Sequence, residues 1–254
     1  LKLAAWNVNS LNVRLPHVTD WLKTHQPDVL CLQELKLEDA KFPLAAFEEI
    51  GYNAVFSGQK TYNGVAIISR TRPEDVSKDI PGYDDPQKRV IAATVGGIRI
   101  VCAYIPNGQA VASEKYQYKL QWLAAMQAYM RDTIATYGDV ALLGDYNIAP
   151  DDRDVHDPKI WEGQVLCSVP ERDAFRAFVA LGLVDSFRLF EQAEKSYSWW
   201  DYRMNGFKRN LGLRIDHILL TPGLAGRCVS SIIDVDPRKL DRPSDHAPVV
   251  ADIR

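Results

Sequence analysis

Apolar residues in this chain arrive in short runs of strand length, and run after run meets a polar or acidic side chain at its end. Leu3–Trp6 stops at Asn7, Val29–Leu32 continues through Gln33 to Glu34, Ile98–Tyr104 closes on its own tyrosine, and Val140–Leu143 leads into Asp145 and Asn147. Asp216 lies near the start of Ile215–Leu220, and Asp245 and His246 precede Ala247–Ile253. One such residue alone reads as a turn former or a cap. A core needs no carboxylate at the end of every strand, so the recurrence points to chemistry gathered at strand ends. No run approaches the roughly 20 apolar residues that span a bilayer, so no membrane partner is expected.

Helical patterns separate some of these runs and not others. Leu15–Thr24 carries apolar residues on one face and ends before Pro27, Glu114–Thr136 is the longest helical stretch and stops at Gly138, and Pro170–Leu181 is a third. Tyr52–Phe56, Val65–Ile68, Arg89–Val95 and Ile98–Tyr104 follow one another with no such interruption, the last two joined by Gly96–Gly97, which implies antiparallel pairing. Val229–Val235 adds a further strand, and Ala149–Gln164, rich in Asp and Pro, reads as a long loop. Strands and then a helix, twice over, predict an α/β protein with two mainly antiparallel sheets packed face to face and helices outside. No linker or repeat divides residues 1–254, so a single domain is expected.

Composition removes other classes. Lys and Arg (30) nearly balance Asp and Glu (33) in a chain that is 46% hydrophobic, which excludes disorder. Cys31, Cys102, Cys167 and Cys228 are scattered without a CxxC pair and read as reduced thiols. Leu1–Val8 lacks a basic leader and a cleavage site, so a cytoplasmic protein is expected. A net charge of −3 decides nothing about nucleic acid, because phosphate contacts depend on the local field.

Hard divalent cations bind oxygen, through one or two carboxylates plus water and phosphate oxygens. Glu34 and Asp245 are suited to hold Mg²⁺, and Asp216 is suited to orient the ring of His246 and favour its charged form. His217, next to Asp216 on a strand, points to the opposite face; it reads as structural, as do His17, His25 and His156.

Eight segments together resemble the exonuclease III and apurinic/apyrimidinic endonuclease family of the endonuclease, exonuclease and phosphatase superfamily. They are WNVNSL at Trp6–Leu11, LQELK at Leu32–Lys36, YNGVAI at Tyr62–Ile67, YIPNG at Tyr104–Gly108, GDYNIAP at Gly144–Pro150, SWWDYR at Ser198–Arg203, GLRIDHIL at Gly212–Leu219 and SDHAPV at Ser244–Val249. The resemblance implies a four-layered α/β sandwich with its active site at one end of the paired sheets. It implies metal-binding positions at Glu34, Asn7 and Asp245, phosphate-contacting and water-positioning residues at Tyr104, Asp145, Asn147 and His246, and an aspartate orienting the histidine at Asp216. It implies Mg²⁺, with Mn²⁺ able to substitute, and a monomer acting on double-stranded DNA at an abasic site, a nick or a 3′ end. Phosphodiester hydrolysis needs an activated water and relief of charge on the phosphate oxygens, which accounts for these residue types.

Backbone around Tyr62, Asn63 and Gly64, with Arg203 and Arg214, is expected to grip substrate. Further candidates for phosphate contact are Arg70, Arg72, Lys88, Arg89, Lys115, Lys119, Lys208 and Arg209. By the resemblance, Trp199, Leu213 and Ile215 line an apolar pocket for a flipped abasic sugar, with the Val165–Cys167 loop nearby. The expected activity is Mg²⁺-dependent DNA repair phosphodiester hydrolysis: abasic incision, 3′ trimming, or both. The alternatives are a superfamily phosphatase or RNA nuclease, and a DNA-binding protein that has lost turnover.

Overall fold

The short apolar runs form the strands of two six-stranded sheets in the computed structural model, which describes residues 1–254. The first part of the chain supplies β1 (Lys2–Asn7), α1 (Leu11–His25), β2 (Val29–Gln33), α2 (Leu44–Glu48), β3 (Asn53–Ser57) and β4 (Val65–Ser69). The middle supplies β5 (Glu74–Lys78), β6 (Val90–Val95), β7 (Ile98–Tyr104), α3 (Glu114–Tyr137), β8 (Val140–Asp145), α4 (Pro158–Trp161), α5 (Val169–Ala180) and β9 (Val184–Asp185). The last part supplies β10 (Trp199–Trp200), β11 (Gly212–Leu213), β12 (Asp216–Leu220), α6 (Pro222–Ala225), β13 (Cys228–Ile233) and β14 (Val249–Ile253).

The first sheet runs β13-β14-β1-β2-β4-β3 and the second β5-β6-β7-β8-β12-β9, with β10 and β11 as a separate ribbon. Each sheet is antiparallel apart from one central parallel pair, β1 with β2 and β7 with β8. Those are the pairs whose connection contains a long helix, α1 and α3 respectively, as a parallel crossover requires.

Strict alternation along the strands builds four layers. Leu3 and Ala5 of β1, Val29 and Cys31 of β2, Ile100 and Cys102 of β7, Ala141 and Leu143 of β8, and Ile218 and Leu220 of β12 meet in one buried layer between the sheets. The intervening residues face outward: Ala4 and Trp6 pack with Val18, Trp21 and Leu22 of α1, and Val101 and Leu142 pack with Trp122, Met126 and Phe178 of α3 and α5. Each fully buried Leu, Ile or Val contributes about 1.5–3 kcal/mol relative to exposure. This is the four-layered sandwich expected from the sequence. No helix is long and apolar enough to cross a membrane.

The helices begin where side chains satisfy their free N–H groups. Ser10 caps α1, so the helix starts four positions before the apolar pattern does, and Ser113 accepts from the Tyr116 amide at the head of α3. Two differences from the sequence reading have clear causes. The edge strand β5 carries almost no buried side chains and shows no hydrophobic alternation, and Ala149–Gln164 is not a structureless loop but folds into a turn at Asp152–Asp154 and the short α4.

Gly144 shows how closely the second sheet is built. Its φ is +150°, and a Cβ placed there would lie 1.9 Å from the carbonyl oxygen of Ala103 on β7. The residue before Asp145 therefore has room for no side chain. Gly144→Ala is expected to cost about 3 kcal/mol or more of stability, read as the loss of folding free energy in urea titration; a loss under about 1 kcal/mol would show that β7 and β8 can separate without penalty.

Candidate active site

The inward register of the strands carries polar residues to one rim. Leu3, Ala5 and Asn7 face the same way along β1, as do Ile100, Cys102 and Tyr104 on β7, Ala141, Leu143 and Asp145 on β8, and Leu220, Ile218 and Asp216 on β12. Tyr104 and Asp216 are the direct register partners of Asp145 on either side. Glu34 follows β2 with φ 53°, and Asn147 follows β8 with φ 50°; such left-handed conformations in residues with a Cβ collect where structure over-determines them.

Hydrogen bonds join the two sheets across this rim. Nδ2 of Asn7 donates to Oε1 of Glu34 and to Oδ2 of Asp145, both at 2.8 Å. The Asn147 amide holds the other Asp145 oxygen at 2.9 Å. Nδ1 of His246 donates to Oδ2 of Asp216 at 2.8 Å, while its Nε2 faces Oδ2 of Asp145 at 3.6 Å. Ser244 fixes the histidine from behind, accepting from the His246 amide and donating to the Asn7 carbonyl.

These contacts set the protonation states. Burial alone would lower the His246 imidazole, but the carboxylates of Asp216, Asp145 and Asp245 outweigh it and raise it well above its ordinary value. Burial, with the Asp216 and Glu34 carboxylates, pushes Asp145 up to about 7, against the opposing pull of His246 and the Asn7 amide. Burial and the neighbouring Glu34 and Asp145 carboxylates hold the Tyr104 phenol well above its usual range, so it remains a hydrogen-bond donor. The rim thus presents an imidazolium, a phenol O–H and a carboxylate poised to take a proton near neutrality.

Ligand atoms of Glu34, Asp145 and His246 lie within 4.8 Å of one another, a spacing that can hold a metal ion. The cationic His246 is unsuited to ligation, which leaves the carboxylates. The site already draws a cation: the Lys36 ammonium lies 2.6 Å from Oδ1 of Asn9 and 3.5 Å from Oε2 of Glu34. Asp245 stands outside the compact cluster, its oxygens accepting from Nδ2 of Asn9 at 3.2 Å and from the Trp199 indole at 3.0 Å. Asn9 and Lys36 were not singled out from the sequence, although both lie inside quoted segments, WNVNSL and LQELK.

Tyr62 is exposed, and Asn63 and Gly64 are tied by backbone hydrogen bonds to Lys36 and Leu35, beside Glu34. A cleft of about 580 Å³ runs from them past Arg89, Tyr104 and Asn107 to Lys115. Arg89 stacks over the Tyr104 ring, 4.7 Å from its centroid, and so also orients that residue. Arg203 sits on the exposed loop after β10, paired with Asp201 at 2.6 Å, and Lys208 and Arg209 follow it there.

Six residue assignments change. Arg214 is buried, its guanidinium spent on Asp154 and Asp185 at 2.7 Å each, so it does not face substrate. Lys119 is fully buried and paired with Glu171. Arg70 follows β4 at the opposite end of the first sheet, where its amide bonds the Asp28 carbonyl, and Arg72 lies just beyond it. Leu213 and Ile215 do not line an open pocket: they pack with Val155, Leu166 and Cys167 into a closed apolar cluster, against which the half-buried Trp199 lies. His217 does face away from Asp216, bonding the Ile148 carbonyl through Nε2 at 2.8 Å.

Comparison with known proteins places the chain in a family. The model of the endonuclease/exonuclease/phosphatase family matches residues 4–246. The chain is 36% identical to exodeoxyribonuclease III of Haemophilus influenzae, over all of both chains. Among solved structures it is similar to a 3′ phosphatase from Neisseria bound to a product DNA hairpin, with 50% identity, a TM-score of 0.99 and coverage of 100% of this chain and 99% of that one. An AP endonuclease from Archaeoglobus fulgidus is 44% identical with a TM-score of 0.96, over 100% of this chain and 99% of that one.

The His246–Asp216 pair carries a pH signature. Because the native imidazole is raised above its ordinary 6.5, the stabilisation from the pair is complete below that pH and is lost as pH rises through the raised native value. In metal-free protein followed by ¹H–¹⁵N NMR of the imidazole, Asp216→Asn is expected to lower the His246 titration midpoint by about one pH unit or more. An unchanged midpoint would mean that Asp216 does not hold the charge.

Proposed function

This chain belongs to the endonuclease/exonuclease/phosphatase family, and we propose that its site processes 3′ ends of duplex DNA, removing a 3′ phosphate or a 3′ nucleotide in preference to cutting at an internal abasic nucleotide. It is a DNA repair nuclease of the exodeoxyribonuclease III kind. The observation that carries the narrower reading is the closed apolar cluster: Leu213 has no exposed surface beneath the Leu166–Cys167 segment. An internal abasic sugar turned out of the helix needs an apolar recess. A terminal phosphate needs only the polar rim.

The residues divide the work of hydrolysis. Asp145 accepts a proton from the attacking water, its oxygens aimed by the Asn7 side chain and the Asn147 amide. Negative charge growing on the phosphate oxygens meets the His246 imidazolium, held by Asp216, and the Tyr104 hydroxyl, held by Arg89. Glu34, oriented by Asn7, would hold Mg²⁺, with Mn²⁺ as a substitute, and Asp245, which stands outside the compact cluster and is linked to Glu34 through Asn9 and Lys36, would supply the second carboxylate. When bound, the ion lowers the energy of the charged transition state by several kcal/mol as a Lewis acid. The Tyr62–Gly64 segment, Lys115 and Arg203 grip the flanking strand, and Trp199 closes the apolar side. We read the protein as acting as a monomer.

The test uses the purified protein with Mg²⁺, an EDTA control, and two labelled duplexes, one nicked with a 3′ phosphate and one with an internal abasic analogue. Removal of the phosphate is expected to exceed abasic cutting by at least about tenfold, with EDTA abolishing both; the reverse order would make this an abasic endonuclease whose apolar cluster opens. Asp145→Asn is expected to lower turnover by about 10²–10⁴-fold, because an amide cannot take the proton. Near-normal turnover in that variant would assign the base elsewhere.

A further inference from the structure

Lys119 and Glu171 form an ion pair whose side chains have no exposed surface, outside the site but touching segments that shape it. The Lys119 ammonium has three acceptors: the carbonyl of Asn147 at 2.6 Å, the carbonyl of Asn107 at 3.2 Å, and Oε1 of Glu171. Glu171 in turn accepts from the Leu166 amide at 2.9 Å on Oε1, and from the Ser168 amide at 3.1 Å and hydroxyl at 2.6 Å on Oε2. Every polar atom of the pair is satisfied. The partners come from the YIPNG turn, the GDYNIAP turn and the Val165–Ser168 loop, three segments that lie beyond the ends of the strands.

Each of those contacts leads toward chemistry. The Asn147 N–H holds Asp145, and the Asn147 carbonyl belongs to the next peptide along, so Lys119 acts by fixing the far side of the left-handed turn at Asn147 across which that N–H is aimed. The Asn107 side chain donates to Oδ1 of Asn147 at 3.3 Å. On the other side, Leu166 and Cys167 are the residues packed over Leu213. Gly108 leaves no slack between these parts: a Cβ there would lie 3.1 Å from Lys119 Cδ and 3.2 Å from Val165 Cγ2. Buried pairs seldom stabilise more than apolar residues of the same volume. Stability alone therefore gives no reason for a Lys and a Glu here, whereas the need to hold three backbones at once does.

The geometry points to the Lys119–Glu171 pair as a positioning device with two arms, Lys119 fixing the Asn147 turn for turnover and Glu171 fixing the Leu166–Ser168 backbone over the apolar cluster for choice of substrate. The second arm rests on the 3′-end reading above; the first does not. Neither residue touches DNA or the reacting atoms.

Two variants separate the arms. Replacing both charges, as Lys119→Met with Glu171→Leu, is expected to leave the protein folded with its melting temperature little changed. On the duplex that the unmodified protein processes faster, its kcat should fall by about tenfold to a hundredfold while KM stays within about threefold, the mark of misplaced reacting groups. Ser168→Ala leaves the ion pair intact and removes one anchor of the loop. It should raise the ratio of abasic cutting to 3′-phosphate removal by about tenfold, with kcat on the 3′ phosphate unchanged. A double variant with kcat within twofold overturns the Asn147 arm, and a double variant that does not fold overturns it as well, since the pair would then serve the fold. An unchanged ratio in Ser168→Ala overturns the loop arm. Failure of the 3′-end reading appears separately, in the ratio measured for the unmodified protein.

Discussion

Everything at the rim depends on the burial of one apolar layer between two sheets. Side chains along a strand alternate strictly, so the register that sends Leu3 and Ala5 inward also sends Asn7 inward, and the register that buries Ala141 and Leu143 delivers Asp145 to the same level. A slip of one residue in β8 would turn Asp145 toward α3 and bring Gly144 to the site. The hydrophobic pattern that drives folding thus also sets the positions of the polar residues. The core holds those residues in place, so their orientation is fixed before substrate arrives.

The polar cluster imposes a cost that the same packing has to meet. Asp145 and Asp216 are direct neighbours across β8 and β12, both almost fully buried, and like charges opposite one another repel. His246 lies within reach of both, and the Asn7 amide and Asn147 N–H supply donors to Asp145. The carboxylates of Glu34, Asp145, Asp216 and Asp245 still outnumber the His246 imidazolium and the Lys36 ammonium, so the group favours a further cation beside any phosphate it binds. On the outer face of β12 the next residue, His217, is held neutral: burial and the adjacent Arg214 lower it to about 4. Neighbouring histidine environments in one protein therefore differ by the face of the strand that each meets.

Much of this was legible in the sequence because strands announce themselves by composition and by what terminates them. β7 was read at its observed bounds, α3 to within one residue, and the face-to-face arrangement followed from the order of strands and helices. What the sequence hid was direction and partnership. Arg214 lies in a segment shared with Leu213 and Asp216, yet its side chain turns to Asp154 and Asp185, residues distant in sequence. Lys119 sits in a charged stretch of a long helix, where most lysines are solvated; only tertiary packing brings Glu171 to it. Leu213 and Ile215 have the composition of a pocket and equally that of a core, and the Val165–Cys167 loop decides between them by covering them. Strand β5 escaped notice because an edge strand with exposed side chains carries no period.

The parallel pairs β1–β2 and β7–β8 give both sheets the same sequence of strand directions, and each sheet carries its own share of the site: Asn7, Glu34 and His246 from one, Tyr104, Asp145 and Asp216 from the other. The bonds from Asn7 to Asp145 and from His246 to Asp216 both cross the gap. The working groups therefore act as a gauge of the spacing between two plates. A methyl group added to or removed from the layer, at Ala5 or Ala141 for instance, changes that spacing without touching any polar residue. Adjustment of rate by remote apolar substitution is thus inherent in this architecture, and the interior between the sheets is as much a part of the catalyst as the rim.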